Sequence, residues 1–301
     1  MALQSSGAIS ISQIKTELGS SSNSLRTLSA AAGFTTPDSM SEFYGYSNAK
    51  YYWDLSNDIK WGSAQDLPVQ SNTEDFSMSL WIRPQWAATD LNLIIFDLTP
   101  SGTTSAANRF FLQYDYGLNR FNAMYRSNAT NFNAQWALHS NNSATSTGTS
   151  SNDKWTAANR GDTNADGFIN LVLTYDASES VASNAFKVYW NDRLITTSSV
   201  SNNGTRSNMT LNELTFCGND HNTGGSRIAD YMYMHMWDVV LRATDITAMY
   251  NSGTPISASD ASVTTNLIFA DSSDSVPNTG ELDDSGNYDF VSANSQSLAV
   301  L

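Results

Sequence analysis

The sequence predicts a mainly β protein, an antiparallel β-sandwich with a small helical segment ahead of it. Three observations carry that expectation. Beyond residue 50, apolar residues recur at every second position in one stretch after another, the period of a strand with one buried face. Ser, Asn and Gly turns separate these stretches, and there is no strand–helix–strand alternation of the kind a parallel sheet needs. Hydrophobic residues make up 40% of the 301 residues and aromatics 11%, enough to fill a large core; only 15% are charged, so Ser, Thr and Asn must supply the polar surface.

The first residues are patterned differently and are read as a module of their own, 1–49, ahead of a sandwich over 50–301. In ISQIKTELG, Ile11, Ile14 and Leu18 share one helical face, with Ser12 as N-cap and Gly19 as stop. SLRTLSAAAG gives a second helix between Ser24 and Gly33. In SMSEFYG, Ser39 and Glu42 have capping-box spacing and Gly45 terminates the helix. Helices this short bury too little to stand alone, so they are expected to dock on the sandwich or on a partner. Over residues 1–50, Lys15, Arg26 and Lys50 balance Glu17, Asp38 and Glu42, so the whole net charge of −14 falls on residues 51–301.

In that remainder, Phe76, Met78, Leu80 and Ile82 alternate with polar or outward positions, as do Ile169, Leu171, Leu173 and Tyr175. Phe186, Val188 and Trp190 repeat the pattern, and Asn191-Asp192 supplies a hairpin turn. YMYMHMWDVVL alternates aromatic residues with Met, which suits a strand buried on both faces. One helix interrupts, ATDITAMYNSG, capped by Thr244 and stopped by Gly253.

Two resemblances follow from these segments. GAISISQIKTELG with SMSEFYGYS, carried by Ile9, Ser10, Ser12, Ile14, Glu17, Gly19, Met40, Ser41, Phe43, Tyr44 and Gly45, resembles a small module at the ends of phage and prophage virion proteins. YYWDLSNDIKWGSAQDLPVQSNTEDFSMSLWIRP, RFFLQYDYGLNRFNAMY, the segment from GFINLVLTYD to RLITTS, LTFCGND with the stretch to MYNSGTP, and the closing DDSGNYDFVS resemble, in order, concanavalin A-like (LamG-like) jelly rolls. The resemblance implies a non-enzymatic virion surface protein: a fibre, appendage or decoration subunit. The N-terminal module would attach it to other virion proteins through Ile11, Ile14, Leu18, Phe43 and Tyr44. It also implies self-association, with a trimer favoured, and an outward-facing sandwich for host glycans or subunit contacts. A carbohydrate-active hydrolase on the same fold and a purely architectural cement protein are the alternatives.

Composition narrows the function further. A net charge of −14 argues against nucleic-acid binding. No run of 18 apolar residues suggests membrane insertion, and MALQSSGAISIS lacks the pattern of a signal peptide. The single cysteine, Cys217, forms no intrachain disulfide and is read as a strand thiol, so the chain is expected to fold in a host cytoplasm before joining a particle. The paired acids E-x-D-x-x-E of laminarinase-type enzymes are missing; Glu281-Leu282-Asp283-Asp284 begins similarly but reaches Gly286. Among the histidines His139, His221 and His235, none lies near a G-x-S-x-G turn, and His235 reads as a packed strand residue. No cofactor is certain. GDTNADGFIN nevertheless has the start of a calcium loop, with Asp162, Asn164, Asp166 and the Phe168 carbonyl as oxygen donors, although Leu173 stands where a bidentate acid is needed. Residues 127–166 read as a long Asn- and Ser-rich loop whose Trp136, His139 and Trp155 are candidate glycan contacts.

Overall fold

The computed structural model describes residues 3–4, 6–18, 20–32, 34, 38–44, 51–55, 59–62, 74–86, 92–100, 108–115, 118–128, 130–138, 155–156, 163–196, 198–209, 211, 213–216, 229–272, 284, 289–292 and 296–300. Its packing divides the chain into two units, Met1–Tyr51 with Val300–Leu301, and Tyr52–Ala299.

The first unit contains α1 (Ile11–Leu18), α2 (Leu25–Ala31) and a 3-10 turn, Met40–Phe43. Its caps differ in part from expectation. Ser10, not Ser12, opens α1: its hydroxyl accepts the Gln13 N–H at 3.2 Å, and the Gln13 side chain accepts the Ser10 N–H at 2.7 Å. Ser24 does cap α2, accepting the Thr27 N–H at 3.4 Å. Ser39 and Glu42 form the expected capping box around a 3-10 turn, and Glu42 also accepts the Ser29 hydroxyl at 2.9 Å. Ile14, Leu28 and Phe43 are completely buried among Ile9, Leu25, Phe34, Met40 and their neighbours, and Phe34 meets Phe43 edge to face at 5.1 Å. The helices thus share a small core of their own. The pairing of α1, α2 and the turn encloses three large side chains, each contributing about 1.5–3 kcal/mol.

The second unit is an antiparallel jelly-roll sandwich. In chain order its strands are β1 (Tyr51–Leu55), β2 (Ile59–Gly62), β3 (Phe76–Pro84), β4 (Asn92–Thr99), β5 (Arg109–Asp115), β6 (Arg120–Ser127), β7 (Thr130–Ala137), β8 (Ile169–Tyr175), β9 (Phe186–Trp190), β10 (Arg193–Leu194), β11 (Ser198–Asn203), β12 (Glu213–Phe216), β13 (Ala229–Trp237), β14 (Leu267–Asp271), β15 (Asp289–Ser292) and β16 (Gln296–Val300). One sheet runs β10-β9-β8-β3-β13-β1-β16, with β14 also on β13; the other runs β11-β7-β6-β5-β4-β12-β2-β15. A short helix, α3 (Ala182–Ala185), leads into β9, and Asn191 at φ 59° turns β9 into β10 as anticipated.

The alternating residues meet between the sheets. Phe76, Met78, Leu80 and Ile82 of β3, with Ile169, Leu171, Leu173 and Tyr175 of β8, face Phe110, Leu112 and Tyr114 of β5 and Phe121, Ala123 and Tyr125 of β6. β13 carries an extra residue. Met232 pairs with Trp81 and His235 with Ser79, so Tyr233 and Met234 together oppose Leu80, and Tyr233 has φ 48°. The bulge changes the parity: Tyr231 faces the inter-sheet core before it, Met234 and Met236 after it. Tyr233, His235 and Trp237 consequently share the outer face, beneath α4 (Ala243–Tyr250) and the chain that follows it.

That outer layer is fixed by polar ties. Trp237 donates to the Val263 carbonyl at 2.8 Å, and the Ser77 hydroxyl bridges the Val239 carbonyl and the Leu241 N–H at 2.7 and 2.9 Å. The α4 cap is Arg242 rather than Thr244: Asp245 accepts both the Arg242 N–H and its guanidinium. His235 is 1% exposed, and its Nε2 accepts the Ala258 N–H at 3.1 Å, so the ring is held neutral; burial pushes its pKa from 6.5 down to about 3.

Two predictions follow from this packing. Ile14→Ala or Phe43→Ala should cost the first unit about 2–5 kcal/mol and abolish slow hydrogen exchange at the α1 and α2 amides. Tyr44→Ala, at a side chain 44% exposed, should leave that protection intact. For His235 the unfolded chain takes up a proton that the folded chain refuses. Its contribution is complete above pH 6.5 and is lost as pH falls toward 3, by roughly 1.4 kcal/mol per pH unit. Urea midpoints of His235→Gln should therefore fall less steeply than those of the parent between pH 6.5 and 5. Parallel curves would mean that His235 is not the group responsible.

Candidate functional site

The two tryptophans proposed as glycan contacts are core residues. Residues 130–137 form β7 instead of a loop, and Trp136 follows Phe132 and Ala134 into the inter-sheet core, 3% exposed. Trp155 is fully buried in an aromatic box: Trp86 at 4.7 Å, Trp190 at 5.2 Å, Tyr114 at 5.4 Å and Phe121 at 5.6 Å between ring centres. The Tyr114 hydroxyl accepts the Trp155 N–H at 2.9 Å, and the Trp155 carbonyl accepts the Trp86 indole N–H. With their rings enclosed, neither presents a face to a sugar. His139 lies outside the described residues.

The proposed calcium donors close a turn. The Asn164 side-chain oxygen accepts the N–H groups of Asp166 at 3.0 Å and Phe168 at 2.9 Å, and the Phe168 carbonyl accepts the Asn164 N–H at 2.9 Å. Asp166 is exposed, and its carbonyl accepts Arg83 at 3.0 Å. Arg83 is held between the rings of Tyr52 and Phe168, 4.5 and 4.6 Å from their centres, and pairs with buried Asp230 at 2.6 Å. The Asn164 side-chain oxygen and the Phe168 carbonyl thus serve the turn, and the Asp166 carbonyl its tie to β3. Asp162 lies outside the described residues, among which no cluster of three His, Cys, Asp or Glu could hold a metal. Of the attachment candidates, Ile14 and Phe43 are enclosed in the first unit's core, Ile11 and Leu18 are half-buried, and Tyr44 is exposed. This corrects Ile14 and Phe43 as contact residues, because a side chain with no accessible surface cannot meet a partner.

The most distinctive polar surface is one that sequence reasoning missed, the outer face of β5, β6 and β7. Because the inward residues of these strands are apolar, strand geometry places the alternate residues together on the other side. Gln113, Asn122 and Gln135 are cross-strand partners and form a row of amides. In the next row, Phe111, Met124 and Asn133 stand opposite one another, and the Asn133 amide donates to Asn122 at 3.2 Å. Beyond them, Arg109 pairs in register with Arg126, and Arg126 with Asn131. Arg109 grips Asp97 of β4 at 2.8 and 3.1 Å and lies 4.3 Å above the Phe111 ring. Gly204, after β11, passes so close to this edge of β7 that a Cβ would sit 2.2 Å from the Asn131 carbonyl; only glycine fits.

Hydrogen bonding on this face is incomplete. Arg120 Nε, Arg126 Nε, Asn131 Oδ1 and Gln135 Oε1 are buried without partners, half of the eight such side-chain atoms among the described residues. A buried polar atom without a partner costs about 1–3 kcal/mol, and these four belong to residues that are themselves half-buried, Arg120, Arg126, Asn131 and Gln135. The signal was present in TNFNAQWA, where Asn131, Asn133 and Gln135 alternate with Phe132, Ala134 and Trp136.

Three acids in described positions are held by the chain itself. Both Asp97 oxygens meet Arg109, Asp230 accepts Arg83 and Gln85, and Asp284 accepts the N–H and hydroxyl of Ser272. Glu281, Asp283 and His221 lie outside the described residues.

No family model matches the chain, and no curated protein does. Among solved structures, the chain is similar to one reported under the statement that cell entry of botulinum neurotoxin type C depends on interaction with two ganglioside molecules, at 17% identity and TM-score 0.41, covering 70% of this chain and 48% of that one. It is similar to the receptor-binding domain of botulinum neurotoxin D at 14% identity and TM-score 0.45, covering 69% and 44%. It is similar to the K499G mutant of the NanB sialidase from Streptococcus pneumoniae at 11% identity and TM-score 0.37, covering 63% and 27%. The chain spans less than half of each of these.

Proposed function

We propose that the protein is a non-catalytic surface component of a virus particle, which binds a saccharide on the outer face of β5, β6 and β7. The observation that carries the binding part is the amide row Gln113, Asn122 and Gln135, whose two outer members are half-buried, beside half-buried Met124. A sugar hydroxyl both donates and accepts, as does a side-chain amide, and the C–H face of a pyranose ring packs on apolar side chains. No described carboxylate stands free on this face as half of an acid/base pair, which favours binding over hydrolysis. The particle assignment is supported by the resemblance of the N-terminal segment to virion modules and by its packing as a separate unit. Ile11, Leu18 and Tyr44 are the side chains still accessible for contact with other virion proteins or a further copy of the chain.

On a panel of immobilised saccharides, the protein should retain at least one class reversibly, and Asn122→Ala with Gln135→Ala should weaken retention about tenfold, the loss of one or two net hydrogen bonds. It should release no reducing ends from that saccharide. Turnover abolished by a single carboxylate substitution would overturn the non-catalytic reading. Leu18→Asp with Tyr44→Asp should prevent incorporation into particles; incorporation at the parent level would overturn the attachment reading.

A further inference from the structure

We propose that an open cavity beside α4 is a second ligand site, separate from the amide row, and that it takes one neutral sugar ring. The proposal does not rest on the reading of the amide row. The cavity measures about 330 Å³, within the roughly 300–1,000 Å³ of small-molecule sites. One wall is the chain entering α4, Val239 to Arg242 with Asp245; the other is the chain entering β14, with Val263, Thr265 and Asn266. A ligand reaches it from solvent, since Arg242, Thr265 and Asn266 are exposed and Val239 and Val240 only half-buried. Both walls are tied to the sheet beneath. On the first, the Ser77 hydroxyl donates to the Val239 carbonyl at 2.7 Å and accepts the Leu241 N–H at 2.9 Å. On the second, the Val263 carbonyl accepts the Trp237 indole N–H at 2.8 Å, and the Asn266 carbonyl accepts the Asp238 N–H at 3.1 Å. The cavity is thus preformed, and binding costs little ordering of the chain.

The lining decides the ligand's chemistry. Asp245 accepts Arg242 Nε and Nη2, each at 2.9 Å, so the pair is neutral in sum, and Nη1 is left without an acceptor among the described residues. Thr265 adds a hydroxyl and Asn266 an amide, groups that both donate and accept. An ion finds no net charge to pair with here, and the net charge of −14 repels an anion in addition. A wholly apolar molecule would displace water from the guanidinium, hydroxyl and amide without replacing its hydrogen bonds. Among these groups stand Val239, Val240 and Val263, whose side chains form no hydrogen bonds. A sugar ring, with hydroxyls around its edge and C–H groups on its faces, matches both kinds of surface, and the volume holds one ring.

The test follows the methyl resonances of Val239, Val240 and Val263 in the full chain by NMR during titration with a panel of neutral methyl hexopyranosides, a hexuronate and cyclohexanol. At least one neutral glycoside should shift these resonances saturably, and about tenfold more tightly than the hexuronate or cyclohexanol. Thr265→Trp, at an exposed position, should fill the cavity and abolish the shift. Asn266→Gly suits the φ of 62° at that residue, so it should melt at the parent's temperature or above, yet bind roughly threefold to tenfold more weakly through the loss of one net hydrogen bond. A purely structural asparagine would leave binding unchanged. Asn122→Ala with Gln135→Ala should leave the shift intact, which separates this site from the amide row. No saturable shift with any glycoside, equal affinity for cyclohexanol or the hexuronate, or glycoside binding that survives Thr265→Trp overturns the inference and leaves the reading of the amide row untouched.

Discussion

The extra residue in β13 is the constraint on which the second unit's layers depend. A strand of strict period two shows each face a fixed set of side chains. At Tyr233 the chain gains one residue against β3 and adopts φ 48°, a conformation that costs a bulky side chain of order 1–3 kcal/mol. In return, Tyr231, Met234 and Met236 all reach the inter-sheet core, while Tyr233, His235 and Trp237 all reach the outer layer. Both faces of the strand are thereby dry, and the other edge of β13 is shared end to end by β1 and β14. The Trp53 indole, donating to Asp271 at 3.1 Å, links those two neighbours.

The two sheets then differ in what they turn outward. The sheet built on β13 covers its outer face with α4 and the following chain, so its outward residues are Trp81, Val172 and Trp237, and a histidine is held there neutral. The other sheet turns amides and Arg109, Arg120 and Arg126 outward on β5, β6 and β7, with Arg109 paired to Asp97 of β4 and Arg120 to Asp115. Polar atoms without a partner among the described residues occur on both outer faces, Trp81 Nε1, Asn170 Oδ1 and His235 Nδ1 on the first and Arg120 Nε, Arg126 Nε, Asn131 Oδ1 and Gln135 Oε1 on the second. A binding site placed on the second face rests on a rigid floor, because the inward neighbours of every ligand-facing residue are locked in the core.

Much of this was legible in local pattern. The inward residues of β3, β8 and β9, the Asn191-Asp192 turn and the caps at Ser24 and Ser39 follow patterns a few positions long, and the alternation around His235 marked it as a packed strand residue. The caps of α1 and α4 did not, because two serines and an Arg–Asp pair compete for the same N–H groups and packing chooses between them. The tryptophans misled for a related reason. Trp136 and Trp155 sit among Asn and Ser in the sequence, and composition of that kind suggests a surface loop, yet their strand partners draw them inside. The D-x-N-x-D-G spacing likewise serves equally for a cation loop and for a turn stabilised by Asn164.

By itself, then, the sequence determined the antiparallel sandwich, the separately patterned N-terminal segment and the charge asymmetry between them, because periodicity, turn residues and charge are local or additive properties. Only the tertiary structure decided that Ile14, Leu28 and Phe43 share a core, that β13 changes parity at Tyr233, and that Gln113, Asn122 and Gln135 line up in one row across three strands. The reason is register. Which residues stand opposite one another is fixed by the pairing of strands far apart in the chain, and a shift of one residue would send each of these side chains to the other face.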